Sequence, residues 1–179
     1  MITLRQEKDT DIPAREALLD EAFGAAKRRR KTSERLRKGC LPAEGLSFIA
    51  ADGGRVVGTA RLWNVACESG HPVLLLGPVA VAADRRGLGI GAALVRKAIT
   101  AARKLGHGAV ILVGDVPYYG RFEFCGEKTA ALRLPGPVER RRFLALELVP
   151  GALDGAQGLL SATGRPLPAG ARKIAARAA

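Results

Sequence analysis

The stretch Arg85-Arg86-Gly87-Leu88-Gly89-Ile90-Gly91-Ala92 carries the clearest chemistry in this sequence. Three glycines within five positions leave successive backbone N–H groups uncovered by side chains. The stretch joins an apolar run ending at Val81 to a helical pattern, so these N–H groups stand at a helix N-terminus. There the orphan donors and the helix dipole both favour an anion. Arg85 or Arg86 adds a charge-assisted contact. Read plainly, the glycines would only make a tight turn. The two arginines at a strand-to-helix junction favour a phosphate. A Walker loop is excluded, because no Lys-Ser/Thr follows the glycines. Gly87 to Ala92 also satisfies the G-x-G-x-x-A of dinucleotide sites, with Asp115 placed for a ribose. Against that reading, Ala82–Arg86 separate the strand from the glycines, and the unit begins mid-chain after a hairpin.

Two further groups of residues bear on function. Tyr118-Tyr119-Gly120-Arg121-Phe122-Glu123-Phe124 brings two phenols into an aromatic cluster. Between positions 27 and 38 stand Lys27, Arg28, Arg29, Arg30, Lys31, Arg35, Arg37 and Lys38 against one acid, Glu34. By default such a run is a solvated face, and the other reading is a basic rim beside a binding site. Cys40, Cys67 and Cys125 are far apart, and His71 and His107 stand near no second ligand, so neither a disulfide framework nor a metal site is expected.

The elements that must position these residues follow from periodicity. Ile2–Gln6 reads as a strand, and a helix begins near Ile12-Pro13 with Leu18, Leu19, Ala22 and Phe23 on one face. The basic run continues as a second helix or forms a loop ordered on binding. Leu46–Ala51 and Arg55–Trp63 form a hairpin about Asp52-Gly53-Gly54, with Phe48 and Trp63 expected in the core. Pro72–Val81 is a long apolar strand, and Gly77-Pro78 within it predicts a bulge or a splay. A helix over Gly89–Leu105 follows, then a strand at Ala109–Gly114, a short helix at Pro117–Phe122, and strands near Lys128–Leu134 and Phe143–Val149. This order predicts an α/β fold with a three-layer mixed sheet. The last thirty residues, rich in Gly, Ala and Pro and carrying Arg165, Arg172, Lys173 and Arg177, read as a loosely packed tail.

A length of 179 residues suits one domain with a full core. No run approaches eighteen consecutive apolar residues, and Met1–Glu7 lacks the layout of a signal peptide, so a cytoplasmic location is expected. The net charge of +12 points to an anionic partner.

The pattern Arg86-x-x-Gly89-x-Gly91-Ala92, preceded by Leu76-Gly77-Pro78-Val79-Ala80-Val81, resembles the acetyl-CoA-binding core of the GNAT N-acetyltransferase superfamily. The element Tyr118 to Phe124 resembles its Tyr-x-x-x-Gly-Phe motif, with Tyr119 and Phe124 in register. The combination is similar to a bacterial subgroup of predicted N-acetyltransferases. The resemblance implies the acyl-CoA N-acyltransferase fold over residues 1–150, with 151–179 a basic C-terminal extension. It implies transfer of an acetyl group from acetyl-CoA to a primary amine by direct attack in a ternary complex, without a metal. Backbone groups of the Val79-Ala80-Val81 strand would hold the pantetheine arm. Arg86, Gly87, Leu88, Gly89, Ile90, Gly91 and Ala92 would hold the pyrophosphate, and Tyr119 would protonate the departing thiolate.

Departures from the motif carry their own expectations. Glu123 replaces the usual glycine, so an altered turn is expected before Phe124. Leu112 stands where an asparagine is frequent. The strand Val73–Val81 offers no carboxylate as base. The acceptor is expected to be a small-molecule or peptide amine, with the basic run favouring an anionic one, and no membrane partner is expected. Two readings rank below: a basic nucleic-acid-binding protein on a catalytically decayed acyltransferase fold, and an NAD(P)-dependent oxidoreductase.

Overall fold

The computed structural model describes residues 1–168. Its elements are β1 (Ile2–Gln6), α1 (Ile12–Phe23), α2 (Ala25–Arg29), β2 (Ser47–Asp52), β3 (Arg55–Cys67), β4 (Pro72–Val81), α3 (Ile90–Lys104), β5 (Ala109–Val113), α4 (Val116–Gly120), β6 (Leu132–Arg133), β7 (Phe143–Glu147) and β8 (Gly158–Ala162). The main sheet runs β1-β2-β3-β4-β5-β7, and β4–β5 is its parallel pair. It is a mixed α/β sheet.

Strand alternation places the helices in two layers. On one face Phe48 lies beneath Lys97 of α3, and a side chain added at Gly58 would meet Leu94 and Ile90. Arg61 points to the opposite face, where it pairs with Glu7, which also binds Arg15 of α1. The alternation decides the burial: Leu74, Leu76, Val110, Leu112, Leu144 and Leu146 fill the cluster that includes α3. Val73, Leu75, Ile111, Phe143 and Ala145 fill a second one with Leu36 and Leu132.

Three expectations are corrected. The strand foreseen near Lys128–Leu134 is mostly turn: Glu127–Thr129 is a 3-10 helix and only Leu132–Arg133 is extended. Thr129 Oγ1 donates to the carbonyls of Gly126 and Phe143, an alternative to ladder bonding. The segment from residue 151 is not loose where it is described. Leu153, Ala156 and Leu160 are buried, and β8 pairs with β3 and β6. The cause is the length of β3, which outruns β2 at Arg61 and leaves backbone groups from Val65 to Cys67 needing a partner. Arg172, Lys173 and Arg177 lie outside the described residues. Of the basic run, finally, only Arg37 departs fully from a solvated face. It is buried, while Lys27, Arg29, Arg30, Arg35 and Lys38 stay exposed in and beside α2, the second helix that was one of the two expectations, and a 3-10 helix at Thr32–Leu36.

Candidate functional site

Strand β4 ends at Val81, a 3-10 turn over Ala83–Arg85 follows, and α3 begins at Ile90. Gly87 and Gly89 take φ +79° and +76°, the left-handed conformation that glycine adopts without a steric penalty. Gly89 is the N-cap and brings no side-chain acceptor, so the first-turn N–H groups of α3 stay turned outward. Of the two arginines, Arg85 is engaged by the carboxylates of Asp52 and Asp84, which tether the loop. Arg86 is exposed and lines a cavity of about 350 Å³ with Gly87, Gly89, Gly91, Tyr118 and Arg121. The Arg121 guanidinium lies 4.1 Å from the Tyr118 ring centroid. Leu88 points into solvent and Ala80 into the core, so these two can take part only through their backbones. The cavity is a cradle of outward N–H groups and arginine side chains, the donors an anion would need.

The cradle opens onto a gap in the sheet. β4 and β5 pair only at Leu74–Val110 and Leu75–Ile111. Beyond Leu75 that edge of β4 leaves β5. On its other side β3 keeps pairing: Leu62 faces Leu76 and Ala60 faces Val79, so Gly77 and Pro78 oppose Arg61 alone. This is the bulge expected from Gly77-Pro78. The Trp63 indole N–H donates to the Gly77 carbonyl at 2.6 Å, which fixes the bend from beneath. Sequence reasoning assigned Trp63 to the core alone.

Across the gap stands α4. Asp115 caps it, its carboxylate accepting from the Tyr118 N–H at 3.3 Å. Tyr119 packs on Gly114 so closely that a Cβ there would fall inside its ring, and it meets Phe124 edge-on at 6.0 Å. Burial pushes the Tyr119 hydroxyl up to about 12; Tyr118 adds to the effect and Arg142 opposes it. The adjacent Tyr118 faces the cradle, while Tyr119 lines a second cavity.

Glu123 carries φ +68°, a left-handed conformation that glycine adopts without a steric penalty. Phe124, which follows it, is buried. The expected cost is backbone strain of about 1 kcal/mol. Glu123→Gly is thus expected to leave activity unchanged and to hold or raise Tm by a few degrees, read by thermal melting. A fall of several degrees would show that the exposed Glu123 side chain contributes more than its backbone costs.

The second cavity, about 550 Å³, lies at the bend of β4 and is bounded by Phe23, Lys31, Gly77–Val79, Gly114, Tyr119 and Arg142. Val79 lines this cavity and Val81 the cradle, so two residues of β4 carry the unpaired edge from one to the other. Arg28, Arg30, Lys31 and Arg37 bring the basic run to its wall. Arg142 was not singled out from sequence, and Gly114 and Tyr118 entered only as parts of motifs without a role of their own. The signal available for Gly114 was a glycine directly before a helix cap and two aromatics.

A backbone anion cradle, joined by an unpaired strand edge to a cavity holding a phenol, defines a transferase built for a long phosphate-bearing carrier. The chain belongs to the acetyltransferase (GNAT) family, whose family model matches residues 13–124. It is 29% identical over 160 residues to the uncharacterized N-acetyltransferase YhbS of Escherichia coli strain K12, covering 88% of this chain and 93% of that one. The crystal structure of YhbS in complex with CoA superposes with a TM-score of 0.76 at 29% identity, covering 90% of this chain and 89% of the other. A GNAT family acetyltransferase from Brucella melitensis, solved with acetyl-CoA, gives 0.68 at 26% identity, covering 90% and 95%. Neither the NAD(P)-dependent oxidoreductase nor the nucleic-acid-binding reading finds support in these matches. No helix among the described residues is long and apolar enough to cross a membrane.

Proposed function

We propose that this chain transfers an acetyl group from acetyl-CoA to a primary amine in a ternary complex. The observation that carries the reading is the continuity of cradle, β4 edge and second cavity. The loop's own geometry supports a pyrophosphate there: a Cβ at Gly87 or Gly89 would meet nothing within 4 Å, so the space over these backbone groups is open. Acetyl-CoA supplies the acetyl group activated as a thioester. N–H groups at Gly87 to Ala92, with Arg86, hold the pyrophosphate, and Val79 to Val81 offer their free backbone edge to the pantetheine arm.

Tyr119 donates the proton that the leaving sulfur needs. Its hydroxyl stays protonated at neutral pH; the leaving thiolate, whose thiol has an ordinary pKa of about 8.5, is a weaker base than a tyrosinate, so the transfer is uphill and depends on the two being held together. The same burial that disfavours the tyrosinate disfavours the thiolate, which narrows that difference. The amine enters through the second cavity, where Asp115 and Glu139 are the carboxylates a water chain can reach. The cations of that wall favour an anionic acceptor by steering. The three free cysteines accord with a cytoplasmic location.

Acetyl-CoA and CoA are expected to raise Tm in proportion to the logarithm of their concentration above Kd, with a stabilisation of about 2.7 kcal/mol at a hundredfold excess over Kd, while NAD(P) does nothing. With a competent amine, thiol release should follow. A shift with NAD(P) and none with acetyl-CoA overturns the reading.

A further inference from the structure

The wall of the second cavity holds more positive charge than its own carboxylates answer. Arg28, Arg30, Lys31, Arg37 and Arg142 line it against Asp115 and Glu139. The carboxylates are already engaged, Asp115 as the cap of α4 and Glu139 with Arg141. Among the described residues Lys31 and Arg142 have no ion-pair partner. The Lys31 ammonium rests 3.8 Å from the Phe23 ring centroid, and Arg142 Nε donates to the Gly114 carbonyl at 3.3 Å, beside the Tyr119 ring.

Arg37 is the most telling of the five. Its side chain is 5% exposed, and Nη2 donates to Glu34 at 2.9 Å and to Ser33 at 3.3 Å. Its Nε is buried with no acceptor, and Arg28 Nη1 is in the same condition. Both atoms are closed off from the cavity, and Arg28 pairs elsewhere with Glu16 and Asp20, so these orphaned donors raise the cost of holding the cluster without themselves reaching a ligand. The cluster is electrostatically continuous. Lys31 is held below the usual range of a lysine by burial first and then by Arg37, Arg142 and Lys27. A half-buried group of like charges is costly alone and becomes favourable once an anion enters.

We propose that the acceptor is an amine that also carries an acidic group, a carboxylate or a phosphate, and that Lys31, Arg37 and Arg142 receive that group in the second cavity. The inference rests on the acetyl-transfer reading and names its substrate class. Guanidinium donors match the planar oxygens of a carboxylate or the face of a phosphate. An acidic group so held leaves the amine on the Tyr119 side of the cavity, next to the β4 edge.

The test uses matched pairs of amines: β-alanine against 3-aminopropanamide, and phosphoethanolamine against ethanolamine. The acidic member is expected to show kcat/KM at least about 10-fold higher, as befits hydrogen bonds to charged groups. The pair with the larger ratio identifies carboxylate or phosphate. Lys31→Met and Arg142→Gln should each cut that preference at least about 10-fold; Arg37 is left intact because its pairing with Glu34 is buried.

A second readout needs no turnover. With CoA saturating and ionic strength constant, succinate or inorganic phosphate should raise the wild-type Tm by at least about 2 °C and that of Lys31→Met by much less. Equal turnover of acidic and neutral members overturns the proposal. So does the absence of any anion-dependent shift. Failure of acetyl-CoA to raise Tm would instead count against acetyl transfer itself, so the two failures are distinct.

Discussion

Tyr119→Phe lowers kcat by about 10²–10⁴-fold and leaves the apparent affinity for acetyl-CoA nearly unchanged. An interaction made mainly in the transition state costs turnover, not binding, when it is removed. Phenylalanine keeps the ring that packs on Gly114 and Phe124, so the loss belongs to the hydroxyl. Tyr118→Phe behaves differently, because the Tyr118 hydroxyl lies by Gly91 in the cradle. It should weaken acetyl-CoA binding by about 2–10-fold, the range of a neutral hydrogen bond, and spare kcat.

The pH dependence adds a separate reading. The folded Tyr119 hydroxyl is raised to about 12 from an ordinary 10, so it stabilises the protein below pH 10. That contribution is lost as pH rises from 10 through 12, and Tyr119→Phe should escape this part of the alkaline loss. Full turnover in Tyr119→Phe with a competent acceptor would make the residue a structural aromatic and leave protonation to water.

Gly91→Glu abolishes detectable acetyl-CoA binding, a loss expected to exceed about 100-fold by calorimetry, in a protein that still folds. Two effects add. The new side chain starts 2.7 Å from the Tyr118 hydroxyl and fills the cradle, and its carboxylate repels the pyrophosphate. Folding is spared because Gly91 sits in the first turn of α3, where a glutamate favours the helix dipole and replaces a poor helix former. The clash is with the far end of a flexible tyrosine, which can move. Gly89→Glu is the poorer experiment, since Gly89 stands at φ +76° and any side chain there strains the backbone. Unchanged affinity in folded Gly91→Glu would remove the pyrophosphate from this loop.

The site and the fold were legible to different depths. The hairpin at Asp52-Gly53-Gly54, the bulge at Gly77-Pro78 and the extent of β4 could be read because each depends on neighbouring residues. The glycine loop was legible for the same reason. Spacing within eight residues fixes both the left-handed backbone and the helix start. The strand foreseen at Lys128–Leu134 failed because Thr129 found its acceptor at Phe143, fourteen positions away. The tail was misjudged because β8 is held by a strand nearly a hundred residues earlier in the chain, a partner that no local pattern displays.

The sequence by itself determined that a glycine-rich turn opens a helix, that an apolar strand bends before it, and that a tyrosine follows in register. Each of these rests on short-range geometry, where residue type and spacing dictate the backbone. Only the tertiary structure decided that the two arginines differ. Asp52 and Asp84 come from two different segments to tether Arg85, while both arginines line the cavity and Arg86 is the more exposed. It also decided that Glu123 takes a left-handed backbone conformation, and that Lys31, Arg37 and Arg142 line one cavity with Tyr119. Burial and charge crowding are sums over whatever the folded chain brings together. Residues a hundred positions apart set them, so they emerge only once the sheet has closed around the gap between β4 and β5.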